Sequence, residues 1–212
     1  MQIELIKPSS RPSVREAAAP ADAPRKKGKQ RSTVLYELPQ QFVYRRAFSE
    51  CQLLESFAEP SFSFKPGYSY NFITGGDVDQ LTYLKAILLQ QPPHYLLAST
   101  WCMAAADILQ FREWVEGGKI EHLDFYVGEI FGQSYAVELN TLQALYDDYP
   151  ELGRIAIFRN HSKCFAGYGD KWPFVVQSSA NINTNPRTEQ ACISLDQGLF
   201  EFYKEFYDGI RT

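Results

Sequence analysis

The sequence predicts an α/β fold built on a mixed, mostly parallel sheet flanked by helices. Three observations carry that reading. From Tyr68 onward, short β-type runs alternate with segments of helical periodicity, which is the pattern of parallel strands joined by crossover helices. Past Tyr149 the strand-like runs follow one another without a helix between them, so part of the sheet must be antiparallel. Hydrophobic residues make up 45% of the 212 positions and aromatics 15%, enough for a sizeable core.

The elements justify themselves in order. Residues 33–67 are the least legible and are expected to supply a strand and a helix ahead of the main sheet. "YSYNFIT" reads as a strand, and "GGDV" as a turn that caps a helix at Asp77 or Asp79. "DQLTYLKAILLQ" places Leu81, Leu84 and Leu88 on one helical face, and Pro92-Pro93 end it. "HYLLAST" is apolar enough for a strand buried on both faces. "ADILQFREWVEGG" is a helix with Ile108, Phe111 and Val115 inward and Gly117-Gly118 as its stop. "HLDFYVGEI" follows as a strand, "VELNTLQALYDDY" as a helix, and "RIAIFRNHSKCFAGY" as one long strand. "PFVVQSSANI" and "EQACISL" are further strands. "DQGLFEFYKEFYDG" closes the chain as a helix with Leu199, Phe202, Tyr203, Phe206 and Tyr207 in a stripe.

Charge divides the chain. Residues 1–32 hold eight Lys/Arg against three Asp/Glu, a net of +5, so the remainder carries −9 of the overall −4. That head has four prolines and no aromatic residue; it is expected to be a flexible tail, with residues 33–212 as a single domain. Its "RKKGKQR" run either touches phosphates or is simply solvated. No apolar run is long enough to span a bilayer, and the first residues do not have the pattern of a secretory signal, so the expected location is cytoplasmic. Cys51, Cys102, Cys164 and Cys192 are far apart without a CxxC pair. They read as reduced thiols rather than as a disulfide framework or a metal site, and neither metal nor cofactor is expected.

The chemistry-bearing stretch is "NHSKCFAGYGDKWPFVVQSSANINTNPRTEQ", residues 160–190. Strand alternation points His161 and Lys163 to one side, and likewise Ser179 and Asn181. In an antiparallel hairpin with a three-residue loop between Gly169 and Pro173, His161 would face Asn181 and Lys163 would face Ser179. An imidazole can act as nucleophile or general acid. An ammonium and a carboxamide suit the nonbridging oxygens of a phosphate, and a carboxylate can orient the imidazole. This set matches phosphoryl chemistry. Arg187 either contacts a substrate phosphate or pairs with a surface acid. Trp101 and Trp172 read as packing residues before they read as base-stacking ones.

The segment resembles the phospholipase D-like superfamily, whose signature is His-x-Lys, a nearby Asp, a Gly-Ser-x-Asn step and, in many members, a later Glu. His161 and Lys163 match the first pair, Ser179 and Asn181 the second, and Glu189 the later acid. Tyr168 stands where the family's aspartate falls, with Asp170 two residues on as its substitute, and Ser178 replaces the glycine. The resemblance implies a metal-independent phosphodiesterase, a nuclease acting on DNA or RNA through a phosphohistidine. Lys163, Asn181 and Arg187 would hold the phosphate, Glu189 would orient the imidazole, and Ser179 would assist. Neither His94 nor His122 is followed by lysine two places on, and both read as strand-start residues. One motif per chain therefore implies a homodimer with His161 of each copy across the twofold axis. The alternative is a catalytically inactive member used as a binding or structural subunit of a larger assembly.

Overall fold

Residues 41–47, 49–75, 77–183 and 187–211 are described by a computed structural model, and all lie in the unit Tyr36–Thr212. The tail expected at 1–32 lies outside the described residues. In chain order the elements are β1 (Gln41–Ala47), α1 (Glu50–Ala58), β2 (Tyr68–Thr74), α2 (Gln80–Leu88), β3 (Pro93–Thr100), α3 (Ala105–Glu116) and β4 (Leu123–Gly128). They continue with α4 (Phe131–Ser134), α5 (Ala136–Asp148), β5 (Ile155–Phe158), β6 (Cys164–Gly169), β7 (Pro173–Ser178), β8 (Glu189–Ser194) and α6 (Gln197–Asp208).

The strands form one sheet in the order β1-β2-β8-β7-β6-β3-β4-β5. The pairs β1–β2, β3–β4 and β4–β5 are parallel, while β6 and β8 run against their neighbours. Six strands thus share one direction, and the reversed pair β6 and β8 is interleaved among them. This is the mixed α/β sheet flanked by helices that the alternation of elements predicts. The strand and helix ahead of the main sheet are β1 and α1.

Sequence explains most boundaries. Asp79 caps α2 by accepting from Thr82 N at 2.9 Å, Ser49 caps α1 and Asp196 caps α6. One sheet face packs on α1, α2, α3 and α5 through Leu53, Leu84, Phe111 and Leu142 against Phe72, Phe125, Phe165 and Phe174. On the other face Tyr95, Leu97, Tyr126, Ala166 and Val175 are covered by α6 through Leu199, Phe200 and Tyr207. β3 is buried on both faces, as its composition predicts.

Three expectations differ from the structure. The stripe of α6 turns inward on Leu199, Phe200 and Tyr207, leaving Phe206 61% exposed, because the helix meets the sheet along an i, i+1, i+8 line. The long strand expected from Arg154 is broken into β5 and β6, with 159–163 irregular between them. β7 stops at Ser178, so Ser179–Ile182 leave the ladder.

Candidate active site at the C-terminal rim of the sheet

The β6–β7 hairpin is one residue out of the expected register. Cys164 pairs with Gln177 and Tyr168 with Pro173, so Lys163 approaches Ser178 rather than Ser179. Gly169 lies where the register changes. It pairs with Pro93 of β3 and joins the turn, and any Cβ there would lie 2.3 Å from the carbonyl oxygen of Pro92. Only glycine fits, and the loop becomes one residue longer than the sequence suggests.

Convergence is achieved outside the ladder instead. The C-terminal ends of β2, β3, β4, β5 and β7 and the N-terminal ends of β6 and β8 all meet at one rim. The segment Ser178–Ile182 is stitched to that rim on several sides. Ser178 N donates to Lys163 O at 3.1 Å and Ser179 N to Gln190 O at 2.9 Å. Gln80 N donates to Asn181 O at 3.1 Å, and Ile182 N to Thr100 Oγ1 at 3.4 Å.

His161 and Lys163 sit in the irregular segment between β5 and β6. Lys163 Nζ lies 3.2 Å from His161 Nδ1 and donates to His161 O at 2.9 Å. The imidazole packs against Trp101, with ring centroids 5.1 Å apart. Burial lowers the pKa of Lys163, and the charges of Cys102 and Glu189 oppose that effect. Glu189 begins β8; its Oε2 accepts from the Ser179 hydroxyl, and Ser179 Oγ accepts from Gln190 N at 2.9 Å. Glu189 is thus held by Ser179 and not by the imidazole it was expected to orient. Asn181 is half-buried, and its carboxamide oxygen has no hydrogen-bond partner among the described residues. Arg187 is exposed.

Asp170 does not replace the missing aspartate. It lies at the far end of the hairpin, 2.7 Å from His94 Nε2 at the start of β3. Ser99, five residues along that strand, is about 17 Å away at 3.3–3.4 Å per residue. Tyr168, at the aspartate's position, packs on Tyr95 and Phe200 beneath α6 with centroids at 6.0 and 5.5 Å. His94 lies second in β3 and His122 just before β4, each beside acids: His94 with Asp170 and Glu121, His122 with Asp124.

Sequence reasoning missed the support beneath the histidine. Asn160 is buried, and its Nδ2 donates to Ser99 Oγ and to Tyr126 O, each at 2.9 Å. Its Oδ1 accepts from Ser162 N at 3.0 Å and from Ser162 Oγ at 2.9 Å. Tyr207 of α6 donates to Ser99 Oγ at 2.9 Å and is hydrogen-bonded to Ser162 Oγ. Burial raises the Tyr207 pKa, so the phenol stays neutral. His161 is therefore flanked on both sides by residues anchored in the core. The one local signal was an Asn directly before His-Ser-Lys, a residue type that bonds its own backbone two positions on. Gly128 completes the support, since a Cβ there would fall 2.9 Å from Trp101 Cδ1 and 3.0 Å from Asn160 O.

Fold and rim together define an α/β protein with a partly buried cation and an imidazole presented at the ends of its strands. No family model matches the chain, and no curated protein does. Among solved structures it is similar to polyphosphate kinase from Porphyromonas gingivalis, at 12% identity and a TM-score of 0.47, over 68% of this chain and 26% of the kinase. The chain spans about a quarter of that kinase's length. Among the described residues, no helix is long and apolar enough to cross a membrane.

Proposed function

We propose that this chain is a phosphodiesterase of the phospholipase D type, a nuclease acting through a phosphohistidine at a site completed by a second copy of itself. The observation that carries the reading is the pairing of His161 with Lys163 at the rim, with the imidazole lodged between an ammonium and Trp101. Ser179, Glu189 and Asn181 stand on the adjoining strand ends.

The chemistry follows from this arrangement. A phosphate oxygen is a stronger acceptor for an ammonium than a neutral ring nitrogen, so an incoming diester draws Lys163 off Nδ1. Once released, the ring exchanges tautomer through water, Nε2 giving up its proton as Nδ1 takes one; Nδ1–H then donates to a carboxylate, and Glu189 already acts electrostatically on Lys163. Nε2 then carries the lone pair, attacks phosphorus, and forms a P–N bond as the P–O bond to the leaving group breaks. His161 of the partner subunit gives its proton to the leaving oxygen. It then takes a proton from the water that cleaves P–N, which restores both rings. Asn181 and Arg187 supply further donors to the phosphate. One ring must be neutral and the other protonated, so activity follows a bell-shaped pH profile.

A second reading, a catalytically idle subunit of this fold, is favoured by Tyr168, which stands in the aspartate's place and stacks on Tyr95. Incubation with single- and double-stranded DNA, RNA and a chromogenic phosphodiester, with EDTA present, separates the two. Cleavage that disappears in His161→Ala, from a protein with the molar mass of a dimer, supports the enzyme. A folded protein that cleaves none of them, or a strict monomer that cleaves as well as before, refutes the shared-site mechanism.

A further inference from the structure

The half of the sheet beyond α6 is not fully covered among the described residues, and it carries an open groove of about 970 Å³ across β1, β2, β8 and β7. Strand alternation and register place Arg46, Asn71, Ile73, Gln190, Cys192 and Gln177 on this side. Gln177 is bonded to Tyr203 of α6, which forms the flank. Arg45 also borders the groove, but its guanidinium turns to the other face, donating to Ser56 Oγ at 3.1 Å and lying 4.7 Å from the centre of the Phe62 ring. Ser178 and Ser179 are common to this groove and to the rim that holds His161.

The lining is unusual for a chain of net charge −4: among the described residues it includes no Asp or Glu. Arg46 and Ile73 are both exposed, Ile73 to 48%. Gln190 offers a paired donor and acceptor of the kind that matches base edges, and Asn71 and Gln177 add their carboxamide oxygens beside N–H groups that also donate to Ser69 O and Tyr203. Among the described lining residues the single accessible guanidinium is too little for the dense phosphates of a duplex, whose binding grows with the number of cations engaged. It is enough to hold one phosphate of a strand whose bases lie unpaired on a sheet surface. We infer that this groove binds a few nucleotides of unpaired strand running on from the phosphate that reacts at His161. The inference rests on the phosphodiesterase reading and deepens it by specifying the form of the substrate.

Binding can be read without cleavage. Fluorescence anisotropy of a labelled oligothymidylate is measured with His161→Ala protein, with and without Arg46→Glu or the pair Asn71→Ala and Gln190→Ala. Both changes are expected to weaken binding about tenfold, and Arg46→Glu to flatten its salt dependence. In a Cys51→Ser background, the bound oligonucleotide is expected to slow modification of Cys192, the half-buried thiol in the groove wall. Unchanged affinity in the variants with no protection of Cys192, or tighter binding of duplex than of single strand, overturns the inference. So does a fall in molar mass from dimer to monomer in Arg46→Glu, which would make this face a contact between copies. Turnover of a small chromogenic phosphodiester by the wild-type protein tests the phosphodiesterase reading separately.

Discussion

Asn160 and Ser162 grip each other across the histidine. The Asn160 carboxamide oxygen accepts from both the backbone N–H and the hydroxyl of Ser162, at 3.0 and 2.9 Å, so His161 occupies the apex of a short closed turn. Removing that carboxamide in Asn160→Ala takes one buried donor from Tyr126 O and one from Ser99 Oγ, which keeps only that of Tyr207 from α6. The expected cost is about 2–3 kcal/mol in urea denaturation, at the upper end for a lost buried hydrogen-bonding group. A larger loss in kcat than in KM is expected as well, because the imidazole loses its aim.

Gly128 is a steric prediction. Gly128→Ala brings a methyl group within 3.0 Å of both Trp101 and Asn160. Overpacking of this kind costs about 1–3 kcal/mol. The emission of the indole ring should shift along with the melting temperature, since Trp101 must move. Unchanged fluorescence and stability would show that the rim is looser than described.

Lys163 sets stability against the proposed chemistry. Its folded pKa is lowered by burial, so below that pKa the charged form is disfavoured in the folded state relative to the unfolded one. Replacing it with a neutral side chain of similar length should therefore stabilise the protein at neutral pH while abolishing turnover. For Lys163→Met the expected rise in Tm is about 1–2 °C, small because the ammonium is partly solvated. A drop in Tm would mean that its bonds to His161 outweigh the desolvation.

His94 gives a pH signature far from the site. Hydrogen bonds to Asp170, and then to Glu121, raise its pKa in the folded protein. The stabilisation is fully present below the ordinary histidine value and is lost as pH rises through the raised one. Thermal melts of wild type and His94→Asn should differ most near pH 5 and converge by pH 9. A constant difference across that range would assign the residue a packing role alone.

The sequence was legible where one rule acted alone. Helical periodicity located α2, α3, α5 and α6, and the run Tyr68–Thr74 located β2 to the residue. It misled where two rules competed. Strand periodicity carried His161 and Lys163 into a continuous ladder, whereas Asn160 closes a local turn and breaks the strand. Gly169 looked like the partner of Pro173 at the turn, yet it pairs with Pro93 of β3 and Tyr168 takes Pro173 instead. Asp170 was near Lys163 in sequence and about a strand's length away in space.

By itself, the order of residues determined the α/β class, the helical segments and which residue types suited a phosphate, because these depend on local spacing and chemical type. Tertiary structure alone decided the register of the hairpin, the separation of Asp170 from the rim and the anchoring of His161 on Asn160, Ser99 and Tyr207. Those outcomes depend on groups up to 108 positions apart in the chain, brought together by burial of the sheet's two faces. No local pattern encodes such a meeting, since the energy that enforces it comes from packing the whole.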